Sequence, residues 1–182
     1  MNRLLSLLPS LLLATPAHAH PGHDAGFLGG LAHPMLGADH LLAALLVGLW
    51  ASQLGGRARI AIPLLFVATV GIAAVAAIYG FAPPAIETGI LISMLVPGLL
   101  LASAVRAPLP AVAALVACFA WMHGAAHGVE RPDDANTAAY LTGLLLTTGM
   151  LHAIGVGTGA MLRAQGLRVA GSMAVVLALI AA

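Results

Sequence analysis

The chain contains no lysine, and of its 182 residues only 7% are charged, 4% are aromatic and one is cysteine. Each shortage excludes something. Without lysine there is no Walker-type phosphate loop, so the run GVGTG (155–159), which follows no strand pattern either, argues for no direct use of ATP. A net charge of +1 supplies no basic surface for nucleic acid. Cys118, being alone, forms neither an intrachain disulfide nor a thiolate cluster, and it reads as a packing residue. What is abundant is apolar: 61% of the residues are hydrophobic and the mean hydropathy is +1.04. That balance excludes an ordinary soluble domain and points to an all-α, polytopic membrane helix bundle in one unit.

Residues 1–19, MNRLLSLLPSLLLATPAHA, read as a cleaved signal peptide. Arg3 supplies the positive start, Leu4 to Leu13 the short apolar core, and Ala17-His18-Ala19 the cleavage site. Pro9 and Pro16 interrupt a segment already too short to span a bilayer. Cleavage would make His20 the first residue of the mature chain (20–182), outside the membrane. Its imidazole and the free amine could then hold a metal together with a second histidine such as His23. Pro21 has no amide proton to lose, which excludes the usual terminal chelate.

Six apolar runs follow, at 26–54, 60–81, 85–105, 109–128, 137–162 and 167–182. A spanning helix needs ~20 residues; the last run has sixteen. With the mature N-terminus outside, the inner loops carry Arg57, Arg59, Arg106, Arg163 and Arg168, and the outer loops only Arg131. This satisfies the positive-inside rule. Trp50, Tyr79, Trp121 and Tyr140 fall near span ends, where interfacial aromatics are expected. Gly26 with Gly30, and Gly155 with Gly159, have the small-xxx-small spacing of close helix packing. The expectation is a multi-pass protein of the inner (cytoplasmic) membrane, its mature N-terminus periplasmic.

Against this background the stretch HPMLGADH (33–40) stands out, because ionisable groups are costly in hydrocarbon. In a continuous helix His33 and His40 are almost two turns apart and share one face. Asp39 can ligate or orient an imidazole. Pro34 either starts a helix or leaves the Gly30 carbonyl unpaired. A second cluster, HGAAHGVE (123–130), sets His123 and His127 at i, i+4. Both clusters fall toward the outer ends of their spans, as do Glu87, His20 and His23, while His152 lies deeper. His152 alone reads equally well as an interhelical hydrogen-bonder. Imidazole with carboxylate, and no thiolate, suits Ni²⁺, Co²⁺, Zn²⁺ or Cu²⁺.

These motifs resemble those of the HupE/UreJ family of hydrogenase and urease accessory membrane proteins: HPxxGxDH appears as His33–His40, and HGxxHGxE as His123–Glu130. The resemblance implies a secondary permease, not an enzyme, that takes up Ni²⁺ or Co²⁺ with no organic cofactor. It further implies that His33, Asp39, His40, His123 and His127 serve the metal path, with hydrogenase or urease maturation proteins downstream. His20, His23, Glu130 and His152 are added as candidate ligands from their place in the chain. The competing readings are an intramembrane zinc hydrolase, for which HGAAH lacks the glutamate of HExxH, and a periplasm-facing metal-binding subunit that does not transport.

Overall fold

A computed structural model describes residues 26–181. The expected leader (1–19), His20 and His23 lie outside the described residues. Among the described residues the chain forms seven helices: α1 Phe27–Leu36, α2 Ala38–Leu54, α3 Ala58–Ile78, α4 Ile86–Ala102, α5 Leu109–Val129, α6 Thr137–Met161 and α7 Ala164–Ala181. Three of them, α3, α5 and α6, are long and apolar enough to cross a membrane, and α1 with α2 make a fourth if that bent pair is one span. The remaining two, α4 and α7, are apolar but shorter. The run 85–105 stops being helical at Ala102 because Ala104 turns into the left-handed region, with φ 54°. The final helix begins at Ala164, three residues ahead of the apolar run that announces it.

The largest departure from expectation is the first span. It is not one helix over 26–54 but two, bent by 80°. The break falls at Gly37 (φ −80°, ψ 110°), which ends α1 and begins α2. Pro34 lies inside α1 rather than at a helix start. Lacking an N–H, it cannot pair the Gly30 carbonyl, and this weakens the last turn of α1. The Gly37 N–H takes the His33 carbonyl (3.3 Å), and the chain then restarts as α2. Asp39 secures the restart: its Oδ1 accepts the His40 backbone N–H at 2.8 Å, in a first turn where a carboxylate also meets the positive end of the helix dipole.

The helices pack chiefly as α3 on α5, α1 and α2 on α6, and α4 on α7. Leu46, Val47, Trp50, Ile62, Phe66, Val70, Val116 and Leu144 fill the centre between α2, α3, α5 and α6. Glycines set how closely the helices approach. Gly124 and Gly128 lie against the Val70 and Ala74 carbonyls of α3, so the glycine after each histidine of HGAAHG lets α5 meet α3. Gly30 and Gly143 do the same for α1 and α6. The expected packing role of Gly155 and Gly159 holds, against Leu45 and Ser52 of α2, whereas Gly26 makes only ordinary contact with Ala139.

Two of the expected interfacial aromatics are core residues instead: Trp50 is 0% and Tyr140 1% exposed. Trp50 belongs to the central cluster, and Tyr140 is covered by α1 where Gly30 crosses it. Tyr79 and Trp121 do face outward. So does Cys118, which is exposed rather than packed.

Apart from Arg131, which follows Glu130 and donates to the Pro132 and Ala135 carbonyls, charge is divided between the two ends of the bundle. Arg57 and Arg106 line one groove, and Arg168 donates from Nε to the Ala102 carbonyl at the end of α4 (3.0 Å). Arg59, in the first turn of α3, and Arg163, between α6 and α7, lie at the same end. Asp39, Glu87 and Glu130 lie at the other end, by the α1–α2 break, the start of α4 and the end of α5.

The glycine contacts predict a contrast. In Gly124→Ala the new Cβ meets the α3 backbone, whereas Gly157 has open space around it. Gly124→Ala should cost about 1–3 kcal/mol through overpacking, read as a lower thermal unfolding midpoint of the purified protein. Gly157→Ala should leave the midpoint unchanged or raise it.

Candidate metal site

The break at Gly37 brings the histidines together. His33 sits in the last turn of α1 and His40 in the first turn of α2, so they do not share a helix face as a continuous helix would require. The bend folds them toward each other instead, with ring centroids 6.1 Å apart. From α5, His127 comes within 4.9 Å of His33 and 4.3 Å of His40, and His123 within 5.0 Å of His40, centroid to centroid. The i, i+4 spacing of the α5 pair therefore works as expected. His40, His123 and His127 are all buried.

Glu130, just past the end of α5, closes the outer side of this cluster. Its Oε2 accepts from His33 Nε2 at 3.0 Å. That hydrogen bond is the main reason the Glu130 carboxyl is held below its ordinary range, partial burial working against it. His33, His127 and Glu130 each offer one ligand atom, and these atoms lie within 4.8 Å of one another, close enough to converge on one ion with small side-chain movements.

Deeper in, the hydrogen bonds dictate which ring nitrogens stay free. Asp39 Oδ1 lies 2.8 Å from His40 Nδ1; a carboxylate only accepts, so Nδ1 carries the proton and Nε2 the lone pair. That Nε2 is buried and has no hydrogen-bond partner among the described residues; His127 Nδ1 and His152 Nε2 are in the same condition. His152 donates from Nδ1 to the Thr148 carbonyl of its own helix (2.7 Å), so that nitrogen bridges no helices. Its ring lies 4.7 Å from Phe66, which in turn lies 5.7 Å from His123. His152 thus belongs to a second level, one aromatic ring below the main cluster. A buried, unpaired polar atom costs ~1–3 kcal/mol, a cost that a cation taking up these lone pairs would offset.

The structure therefore gathers His33, Asp39, His40, His123, His127 and Glu130 into one place and sets His152 beneath them. Glu87 shares with Asp39 a cleft of about 430 Å³, also lined by Thr88, Ile90, Leu91 and Met94, which opens beside the cluster. Two neighbours escape a reading of the sequence. Ser93 contacts His123, and Phe66 separates His123 from His152. Both sit in apolar helices with nothing in their own surroundings to mark them; only the tertiary contacts reveal them.

The sequence model of the family described as HupE / UreJ protein matches residues 8–182. The chain belongs to the HupE/UreJ family. It is 41% identical over 157 residues to Protein HupE of Rhizobium leguminosarum bv. viciae, an alignment covering 86% of this chain and 82% of that relative. No solved structure matches it. HPMLGADH and HGAAHGVE, both within the matched residues, are the two segments whose side chains the fold brings together.

The outer trio generates a test. Glu130→Gln keeps the size of the side chain but removes its charge, so Co²⁺ binding, followed by titration of the purified protein, should weaken about tenfold or more. Asp134→Asn, in the exposed loop that follows, should bind as the wild type does.

Proposed function

We propose that this member of the HupE/UreJ family is a permease that takes up Ni²⁺, with Co²⁺ as an alternative cargo, and supplies hydrogenase or urease maturation. The observation that carries the reading is the meeting of four imidazoles and two carboxylates from α1, α2 and α5, with buried lone pairs that nothing in the described chain satisfies. Imidazole and carboxylate without thiolate form a ligand set for borderline divalent ions. The proposed ligands are His33, His40, His123, His127 and Glu130, with Asp39 orienting His40 and His152 acting as a deeper station. His20 and His23, in a mature chain beginning after Ala19, would collect ions ahead of the cluster.

In this reading the bundle is a six-span inner-membrane protein with α1 and α2 as one broken span. Irregular backbone at membrane depth is tolerated where it is buried or lines a polar cavity, and the Gly37 break sits among the histidines. The carboxylate end faces the periplasm and the arginine end the cytoplasm, in keeping with the positive-inside rule. A divalent ion entering a negative interior gains ~4.6 kcal/mol per 100 mV, from ~2.3 per charge, or about three decades of concentration. No pump is needed. Rapid passage does require that no single site hold the ion too tightly. Ligands divided among an outer trio, an inner group and His152 meet that need better than one closed cage.

Uptake of ⁶³Ni²⁺ into sealed proteoliposomes tests this directly. His40→Ala and His123→Ala should each cut uptake at low external metal to near background while the protein remains folded. Uptake at wild-type rates by both variants would overturn the site, and metal binding without any uptake by the wild type would make the protein a binder instead.

The acid side of the pH profile follows from the same ligands. Glu130 is held below the ordinary carboxylate range, so it stays charged throughout pH 5–8. Imidazole ligates only when deprotonated, and its ordinary pKa is about 6.5. Any loss of uptake on acidification should therefore come from the imidazoles and not from Glu130: Glu130→Gln, with its uptake scaled to its own maximum, should keep the wild-type profile between pH 5 and 8. A profile displaced along the pH axis in that variant would show that the Glu130 carboxyl titrates within this window.

A further inference from the structure

We infer that Ser93, on the otherwise apolar helix α4, is a positioning residue that fixes the tautomer of His123 and so aims its Nδ1 lone pair at the metal. The inference rests on His123 being a ligand, as proposed above.

Two short contacts decide it. Ser93 Oγ lies 2.6 Å from the Ile90 carbonyl oxygen and 2.7 Å from His123 Nε2. Two oxygens that close need a proton between them, and a carbonyl has none to give. The serine hydroxyl therefore donates to Ile90, the i−3 back-bond that serines commonly make in helices. Its only proton is then used. Toward His123 the oxygen can only accept, so Nε2 must carry the hydrogen. In a neutral imidazole this leaves Nδ1 deprotonated and available to a cation.

Ser93 and His123 are both 2% exposed, so water cannot take over the role of the hydroxyl. The arrangement parallels the one on the neighbouring ring, where Asp39 fixes His40 with its Nδ1 protonated and its Nε2 free. One histidine is thus held by a carboxylate and the other by a hydroxyl, with opposite ring nitrogens left for the ion. The difference has a chemical consequence. A carboxylate partner makes its imidazole a more basic, tighter ligand, whereas a neutral hydroxyl does so far less. His123, the ring adjoining Phe66 and the route to His152, is therefore the weaker-holding of the two.

The test uses the full-length protein in detergent, with Co²⁺ as the probe, and the variants Ser93→Ala, Ser93→Thr and His123→Ala. Histidine ¹⁵N resonances in the wild type should show His123 as the Nε2–H tautomer; the Nδ1–H form would overturn the inference without any variant. Ser93→Ala should weaken Co²⁺ binding about 10–100-fold and turn the His123 signals into a tautomer mixture, while Ser93→Thr keeps both properties. Wild-type affinity in Ser93→Ala together with loss of binding in His123→Ala would sink the role of Ser93 and leave the metal site standing. Wild-type affinity in His123→Ala would remove His123 as a ligand, and the inference with it.

Discussion

The structure turns on one constraint: imidazole lone pairs are sunk in an apolar bundle where the described chain gives them no partner. The rest of the architecture can be understood as what is needed to hold them there. Two of these rings are fixed through their other nitrogen, His40 by Asp39 and His152 by the Thr148 carbonyl, and the neighbouring His123 is held at Nε2 by Ser93. Each is delivered by a helix with a device for close approach or sharp turning. For α5 these are Gly124 and Gly128 against α3; for the first span it is the bend at Gly37. Burying such groups unpaired costs free energy, and a ligand that takes up the lone pairs returns it.

The bend at Gly37 also joins the two sequence motifs into one site. A straight helix would stack His33 above His40 along a single face and leave a gap where α5 must reach in. Bent by 80°, the segment presents one imidazole from each side, with His127 packed close to both. Gly37 is tightly confined: a Cβ there would come within 3.0 Å of Asp39 Oδ1 and 3.1 Å of His40 Nδ1. The glycine of HPMLGADH is therefore needed twice, for the break and for the space that the Asp39–His40 pair occupies.

Much of this was legible in the sequence, for physical reasons. Long apolar runs at 60–81, 109–128 and 137–162 end where polar or proline-containing segments begin, and they became α3, α5 and α6 nearly residue for residue. His123 and His127 followed from helical spacing alone. The errors share one cause, that neighbours in space are not neighbours in the chain. Pro34 drew attention to itself, but the helix gave way three residues later. Trp50 and Tyr140 look like interfacial aromatics until α1 and the central cluster are seen to cover them. Ser93 and Phe66 carry no local mark, since their importance is given entirely by what α5 and α6 place beside them.

With the carboxylates at one end and every described arginine except Arg131 at the other, the bundle has a permanent electric polarity along its long axis. A mobile cation would be drawn to the acidic mouth, raising its local abundance there, and repelled at the far end, where it would find no electrostatic trap to delay its departure. Such a gradient cannot drive net movement by itself. Under the proposed uptake, occupancy would be concentrated among the imidazoles, and the slow event of a crossing would be leaving them rather than escaping the other side.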